Sequence, residues 1–457
     1  MTILADPTRA AQLAARLRTR TRRLPPLPAG APDLVAAAGT DGPVWMAGGR
    51  GVAGRGVALR LALPAGLADR KAVAGAAEAL ACLHWEPAGA TDGPDGGCGG
   101  PRPGPVALGA LPFDRHAPAE LVVPRVLLTW DGEQAWVTTT TAGDPAGAER
   151  LAADVVAAAA GGSAPGGGAA GRAAARQPAP DGFELRSARS HEEWRGLVAA
   201  AVSRIRDGGP GGLRKVVLAR RVDVAANGPL PTDQILERLA ALYPTCMVFR
   251  VGKFLGASPE LLVRRRGPAV ASHPLAGTVA RSGSAAADRS LVDGLMASAK
   301  DRAEHAFVID ELRARLAPWC EELHVPERPS VLELRNVSHL ETRVSGRLRS
   351  DLDRPSALEL VAALHPTPAV AGTPADAACA YLREVEGFDR GPYAGPVGWV
   401  DPSGDGDWAL GIRSAVVDGT RAELYAGVGV VAGSDPDAEL AETQLKLQAL
   451  LAAVVRP

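Results

Sequence analysis

Between residues 157 and 180 the chain reads AAAAGGSAPGGGAAGRAAARQPAP, a run with almost no side chain able to enter a core. Whatever this chain folds into must therefore be assembled from the segments on either side, with the run itself expected as a flexible connection. With 457 residues of which 46% are apolar, those segments can bury one large core or two ordinary ones. Before the run, residues 107–114 and 120–130 read as strands among many Gly and Pro, and residues 8–23, basic and rich in Ala and Leu, as a surface helix. After it the signals sharpen. Apolar runs with β-branched residues predict strands over 214–224, 260–266, 333–348, 396–400, 408–417 and 421–431. Helical periodicity predicts one helix over about 288–316, ended by Pro318, and another over 436–454, opened by Asp435 as N-cap and Pro436 as first residue. Long antiparallel strands mixed with helices make an α+β fold.

Several function classes are disfavoured. A net charge of −1 gives no field for nucleic acid or an anionic membrane surface. Cys82, Cys98, Cys246, Cys320 and Cys379 are odd in number and form no C-x-x-C pair, which suits reduced thiols in a cytoplasm better than a disulfide or zinc framework. No stretch approaches the ~20 apolar residues needed to span a bilayer. The GVGVVAG run over 427–433 lacks the G-x-G-x-x-G spacing and the acidic ribose ligand of a dinucleotide site.

Of 50 basic residues only Lys71, Lys215, Lys253, Lys300 and Lys446 are lysine, and three of these fall in the most motif-like segments. Arg cannot give up its proton in a protein, whereas a desolvated Lys can serve as a neutral base, so Lys215 is a candidate base. Glu439, Glu442 and Lys446, spaced by three and four, share one helix face, and Lys300 and Glu304 are likewise four apart beside Asp301 and His305. A solvated face laced with ion pairs explains either helix alone. Two carboxylates converging near a helix start would instead hold a hard cation, Mg²⁺ first. Glu260, next to Pro259 at the start of an apolar strand, is placed where burial would raise its pKa and keep it as a general acid. HPLAGTVAR (273–281) reads as a Gly-containing turn whose N–H groups and Thr278 hydroxyl could bind a carboxylate.

Taken in order, KVVLAR (215–220), FLGASPELLV (254–263), SHPLAGTVAR (272–281), SAKDRAEHAFVI (298–309), LRNVSHLETRVSG (334–346), LHPTPAVAGTP (364–374), GPYAGPVGW (391–399), ALGIRSA (409–415) and AGSDPDAELAETQLK (432–446) resemble the chorismate-utilising enzymes. That group includes isochorismate, salicylate, anthranilate and aminodeoxychorismate synthases. The resemblance runs from about residue 200 to the end, with a weaker N-terminal trace in ALGALPFD and LVVP. It implies two large, mostly antiparallel sheets flanked by helices, with the active site between them. Residues 1–156 would interleave with the catalytic core of 181–457 as one domain, and 157–180 would be an insertion.

Within that family, enzymes that add ammonia resemble one another in carrying Gln where this chain has Lys215, because water, unlike ammonia, needs a base. They and the salicylate synthases tend to Thr where this chain has Ala369, so Ala369 points to an isochorismate synthase. The resemblance implies Mg²⁺ held by Glu304 and Glu442 with Glu439 assisting, Lys215 as a neutral base that activates water, and Glu260 as the acid that protonates the departing hydroxyl. Arg413 and Lys446 would anchor carboxylate, with Gly277, Thr278, Tyr393 and Gly429 supplying polar or backbone contacts and His339 lying beside the ring. It further implies a monomeric cytoplasmic isomerase acting on chorismate, with no amidotransferase subunit, nucleic acid or membrane partner. Its product would feed menaquinone, a siderophore or a salicylate-derived metabolite. The alternative is a salicylate synthase, or a chorismate-binding protein without activity.

Overall fold

The computed structural model describes residues 3–4, 6–28, 30–86, 102–161, 179–209, 211–351 and 353–455. Most of the low-complexity run, 162–178, lies outside these. Its first residues do not belong to a connection, because Ala157–Ala159 complete the helix Pro145–Ala159, whose Ala152, Val155 and Ala159 are buried.

Two large sheets face each other, one ten-stranded and one thirteen-stranded, with a separate three-stranded sheet beside them. Strands from both sides of residues 162–178 enter each large sheet. In the first, Ala107–Ala110 pairs antiparallel with Pro396–Val400, which continues through Gly406–Leu410 to Leu261–Arg266. In the second, Val44–Ala47 pairs with Met247–Val251, which leads through Phe254–Ser258 and Ser414–Asp418 to Arg421–Val430 and Lys215–Ala226. The layer between is aromatic: Trp45, Phe249 and Phe254 of one sheet pack with Leu108, Val397 and Trp399 of the other, each nearly or fully buried.

The sequence-based elements hold closely for the strand Lys215–Ala226 and the helix Pro436–Val454, where Asp435 accepts from Asp437 N and Ala438 N at 3.1 and 2.9 Å. Others divide. The expected 288–316 helix is two, Ala285–Ala297 and Ala299–Leu316, because Ser298 takes an extended conformation and caps the second through Asp301 N. Ser competes with helix continuation in this way. The expected 333–348 strand is three, Ser330–Glu333, Val337–Glu341 and Val344–Leu348, the last in a different sheet. The 8–23 helix ends early: Pro7–Ala14 is helical, but Arg18–Arg23 is a strand. The RTRTRR run alternates with period two, and Thr19 and Thr21 turn inward to Thr140 and Thr138, a strand signature that the Ala/Leu content concealed.

Two chain crossings between the large sheets lie side by side. The chain leaves the second sheet after Ser258 and enters the first at Leu261, and it returns from Leu410 to Ser414. The expected continuous 408–417 strand is broken at this return. Leu410 N donates to Glu260 O at 3.1 Å and Ala257 N to Arg413 O at 3.0 Å, which ties the crossings together. Glu260 and Arg413 are thus placed at the junction of the sheets by topology, and Arg413 has φ of 50° in doing so.

Candidate active site

The pocket at this junction is lined by Glu260, Gly277, Thr278, Glu304, His339, Ala369, Tyr393, Arg413, Gly429, Glu442 and Lys446, all of the residues expected from sequence except Lys215 and Glu439. Those two stand immediately behind its wall. Lys215 is 1% exposed and its Nζ lies 3.1 Å from Glu304 Oε1. Glu439 is 1% exposed and accepts from Lys300 Nζ at 2.6 Å.

Each element contributes by a visible device. Gly277 is a bulge, with φ of 74° and a register shift between Ala276 and Thr278, so the expected 273–281 turn is mostly the strand Leu275–Ala280, paired with Val337–Glu341. A Cβ at Gly429 would come within 2.0 Å of Glu304 Oε1, so only glycine on the Arg421–Val430 strand lets that carboxylate reach Lys215.

A hydrogen-bonded chain runs along one wall. Arg413 Nη2 donates to His339 Nε2 at 2.9 Å, which assigns the ring proton to Nδ1; Nδ1 then faces Gly277 O at 3.2 Å and Thr278 Oγ1 at 3.1 Å. Burial and the Arg413 and Lys446 charges hold His339 well below the usual histidine range, so it is a neutral spacer that orients Arg413. Thr278 in turn bonds Glu442. Burial alone would raise Glu442, but Lys446 at 2.7 Å, with Thr278 and Lys300, outweighs it and holds the carboxylate below its ordinary value. Glu439 goes the other way: burial raises it, and Glu442 adds to that against the opposing charge of Lys300.

Glu260 is 4% exposed and accepts one long bond, from Leu275 N at 3.4 Å. Burial pushes its carboxyl up to about 7, against the pull of that bond and of Lys215, Lys446 and Arg413. This is the environment the sequence predicted for a general acid. Lys215 Nζ has the Glu304 carboxylate as its near neighbour, a contact between strand and helix that the sequence did not reveal. The helix faces also differ from simple i,i+4 pairing. Glu442–Lys446 does pair along its helix, but Lys300 crosses to Glu439 on the neighbouring helix instead of taking Glu304.

Three carboxylates stand against three ammonium groups here, Glu304 paired with Lys215, Glu439 with Lys300 and Glu442 with Lys446, and Lys300 also feels the charges of Glu304 and Glu442. The carboxylates' donor chemistry fits a hard cation. Among the described residues no three His, Cys, Asp or Glu side chains stand close enough to close around an ion. Glu304 and Glu442, both in the pocket lining, are the carboxylates that could contribute to a site completed by water and substrate oxygen.

The sequence reading missed Arg390, which also lines the pocket. It is 3% exposed, forks onto Glu386 at 2.8 and 2.5 Å, and donates to the carbonyls of Val217 and Val370, tying the Lys215 strand to the Ala369 loop. Its i,i+4 spacing from Glu386 was the available signal.

A family model described as chorismate binding enzyme matches residues 98–455. The isochorismate synthase DhbC of Bacillus subtilis is 38% identical over 363 residues, covering 77% of this chain and 81% of the relative. Among solved structures, the menaquinone-specific isochorismate synthase MenF of Escherichia coli superposes with a TM-score of 0.75 at 25% identity, over 97% of this chain and 99% of that one. Anthranilate synthase component I of Streptococcus pneumoniae shares the fold, with a TM-score of 0.58 at 23% identity over 76% and 80% of the two chains.

Proposed function

This chain belongs to the chorismate-binding enzyme family, and from that premise we propose that it is an isochorismate synthase. It adds water to the chorismate ring carbon next to the carboxylate-bearing one, with loss of the ring hydroxyl. The observation that carries this reading is the pair of proton-handling groups at one pocket: a buried lysine at position 215, and a buried carboxyl at Glu260 that burial keeps able to carry a proton near neutral pH. Ammonia needs no such base. Ala369 lies in the pocket wall, where the salicylate- and ammonia-type relatives tend to carry Thr.

In this reading Arg413, fixed by His339, and Lys446 hold carboxylate groups of the substrate, while Tyr393 and the Gly277 and Gly429 backbones shape the ring's surroundings. Lys215 Nζ takes the proton of the attacking water, and Glu260 gives its proton to the departing hydroxyl on the other face. Glu304 and Glu442 would hold Mg²⁺, with Glu439 behind them, and the bound cation would supply positive charge to the ring carboxylate. Glu304 Oε1, 3.1 Å from Lys215 Nζ, would hold that side chain in position at the pocket wall. The enzyme would work as a cytoplasmic monomer without an amidotransferase partner. Among the described residues no helix is long and apolar enough to cross a membrane.

Purified protein given chorismate and Mg²⁺ should form isochorismate, approach equilibrium with the substrate, and leave ammonium unused, as read by chromatography. Salicylate and pyruvate as the main enzymatic products would move it to the salicylate synthases, and anthranilate would overturn the argument from Lys215.

A further inference from the structure

Each turnover of the proposed reaction leaves its two proton-handling groups out of step. Lys215 has gained a proton from the attacking water, and Glu260 has given one to the hydroxyl, which departs as water. The next cycle needs one proton out at Lys215 and one in at Glu260, on opposite faces of the ring. Glu260 borders a second cavity besides the substrate pocket. At about 10 Å³ this narrow space has room for one water.

Its lining is suited to hold that water. Thr367 contributes a buried Oγ1 with no hydrogen-bond partner among the described residues, and a buried hydroxyl left in that state is costly. Ser272 Oγ donates to Leu261 O and keeps lone pairs free to accept. The far side is the Glu311–Arg315 ion pair, where Arg315 also donates to the carbonyls of Leu364 and Pro366. Arg315 and Pro366 in turn line a wide outer groove of about 700 Å³. Polar groups therefore run from Glu260 to the surface without passing the substrate. On the substrate side Glu260 faces Lys215, Lys446 and Arg413, three cations that oppose the approach of a hydronium.

We propose that Glu260 recovers its proton from behind, through one water held by Thr367 and Ser272 and supplied from solvent by the Glu311 carboxylate, which Arg315 holds in place and which is itself about one-fifth exposed. One proton enters from solvent, the held water passes one on to the carboxylate, and no bond to carbon changes. Burial, which brings the Glu260 carboxyl near neutrality, keeps both of its states accessible to such exchange. The proposal rests on the reading of Glu260 as the acid in water exchange.

The test is the hydrogen–deuterium exchange of the Glu260 carboxyl, followed by infrared difference spectroscopy and assigned by the band that Glu260→Gln removes. The substrate pocket is filled with an unreactive aromatic analogue bearing the ring carboxylate and the enolpyruvyl ether. Wild type should continue to exchange with the pocket filled, Thr367→Val should slow that exchange about tenfold or more, and Thr367→Ser should restore it. Thermal unfolding separates this from a packing defect, since a merely structural threonine would change stability and leave the exchange rate alone. Exchange that stops in wild type once the pocket is filled overturns the proposal, as does a Thr367→Val protein that exchanges at the wild-type rate. Failure of the functional reading would appear separately, as wild type that exchanges normally and yields no isochorismate.

Discussion

Lys215 and Glu260 are both withdrawn from solvent and both stand at the edge of one pocket, yet burial leaves them in opposite circumstances. Lys215 has a carboxylate 3.1 Å away, so its charge is compensated. Glu260 has a single long N–H contact, and among the described residues no lysine or arginine forms an ion pair with it, so desolvation dominates and its carboxyl rises to about 7. A desolvated ion is tolerated when paired and becomes neutral when not. The acid is thus set with its proton in place, while Lys215 stands beside a fixed carboxylate.

The sharpest way to break this contrast is at Lys215. Lys215→Arg should fail as badly as Lys215→Ala, with kcat down roughly 10²-fold or more in steady-state assays, because neither accepts a proton. An Arg variant that kept its rate would reduce Lys215 to a structural cation. Next comes Glu304, proposed both to hold the cation and to stand against Lys215. Glu304→Gln and Glu442→Gln should both behave like treatment with EDTA, which should abolish activity until millimolar Mg²⁺ is restored while circular dichroism shows the fold unchanged.

Glu260 offers a test on stability. Its folded pKa of about 7 lies above the unfolded value of 4.5, so the folded state binds the extra proton between them. Its favourable contribution is full below the unfolded value and is lost as pH rises through the folded one. Denaturant unfolding should therefore show Glu260→Gln matching wild type at acid pH and exceeding it above pH 7, by at most about 3 kcal/mol. Equal stabilities across the range would mean the carboxyl is not desolvated as described. The smallest effect is expected along the Arg413–His339–Thr278–Glu442 chain. Thr278→Val removes one hydroxyl and should cost about 1 kcal/mol of substrate binding, seen mainly in KM.

How much of this could be read in the sequence depended on whether a residue's partner was local. The Lys215 strand and the C-terminal helix follow from an apolar run and an Asp-Pro cap, both contained in a few residues. The burial of Glu260 followed from its place between Pro259 and an apolar strand. The pairing of Lys300 with Glu439, the approach of Glu304 to Lys215 past Gly429, and the Arg413–His339 contact join residues between 74 and 139 positions apart or on separate elements, and no spacing rule reaches them. The break at Gly411–Arg413 was hidden because both flanking strands are apolar, although they belong to different sheets. Arg390 and Glu386 are four residues apart, a local signal, but the Arg390 contacts with the Val217 and Val370 carbonyls that bring it to the pocket are long-range.

In the proposed reaction a water molecule, activated at Lys215, replaces the ring hydroxyl released with the help of Glu260. Turnover of chorismate in ¹⁸O-enriched water, followed by mass spectrometry of the product, tests it directly. Isochorismate should carry one solvent oxygen in its ring hydroxyl, at the isotopic enrichment of the medium. Isochorismate whose hydroxyl comes unlabelled from the substrate would contradict it.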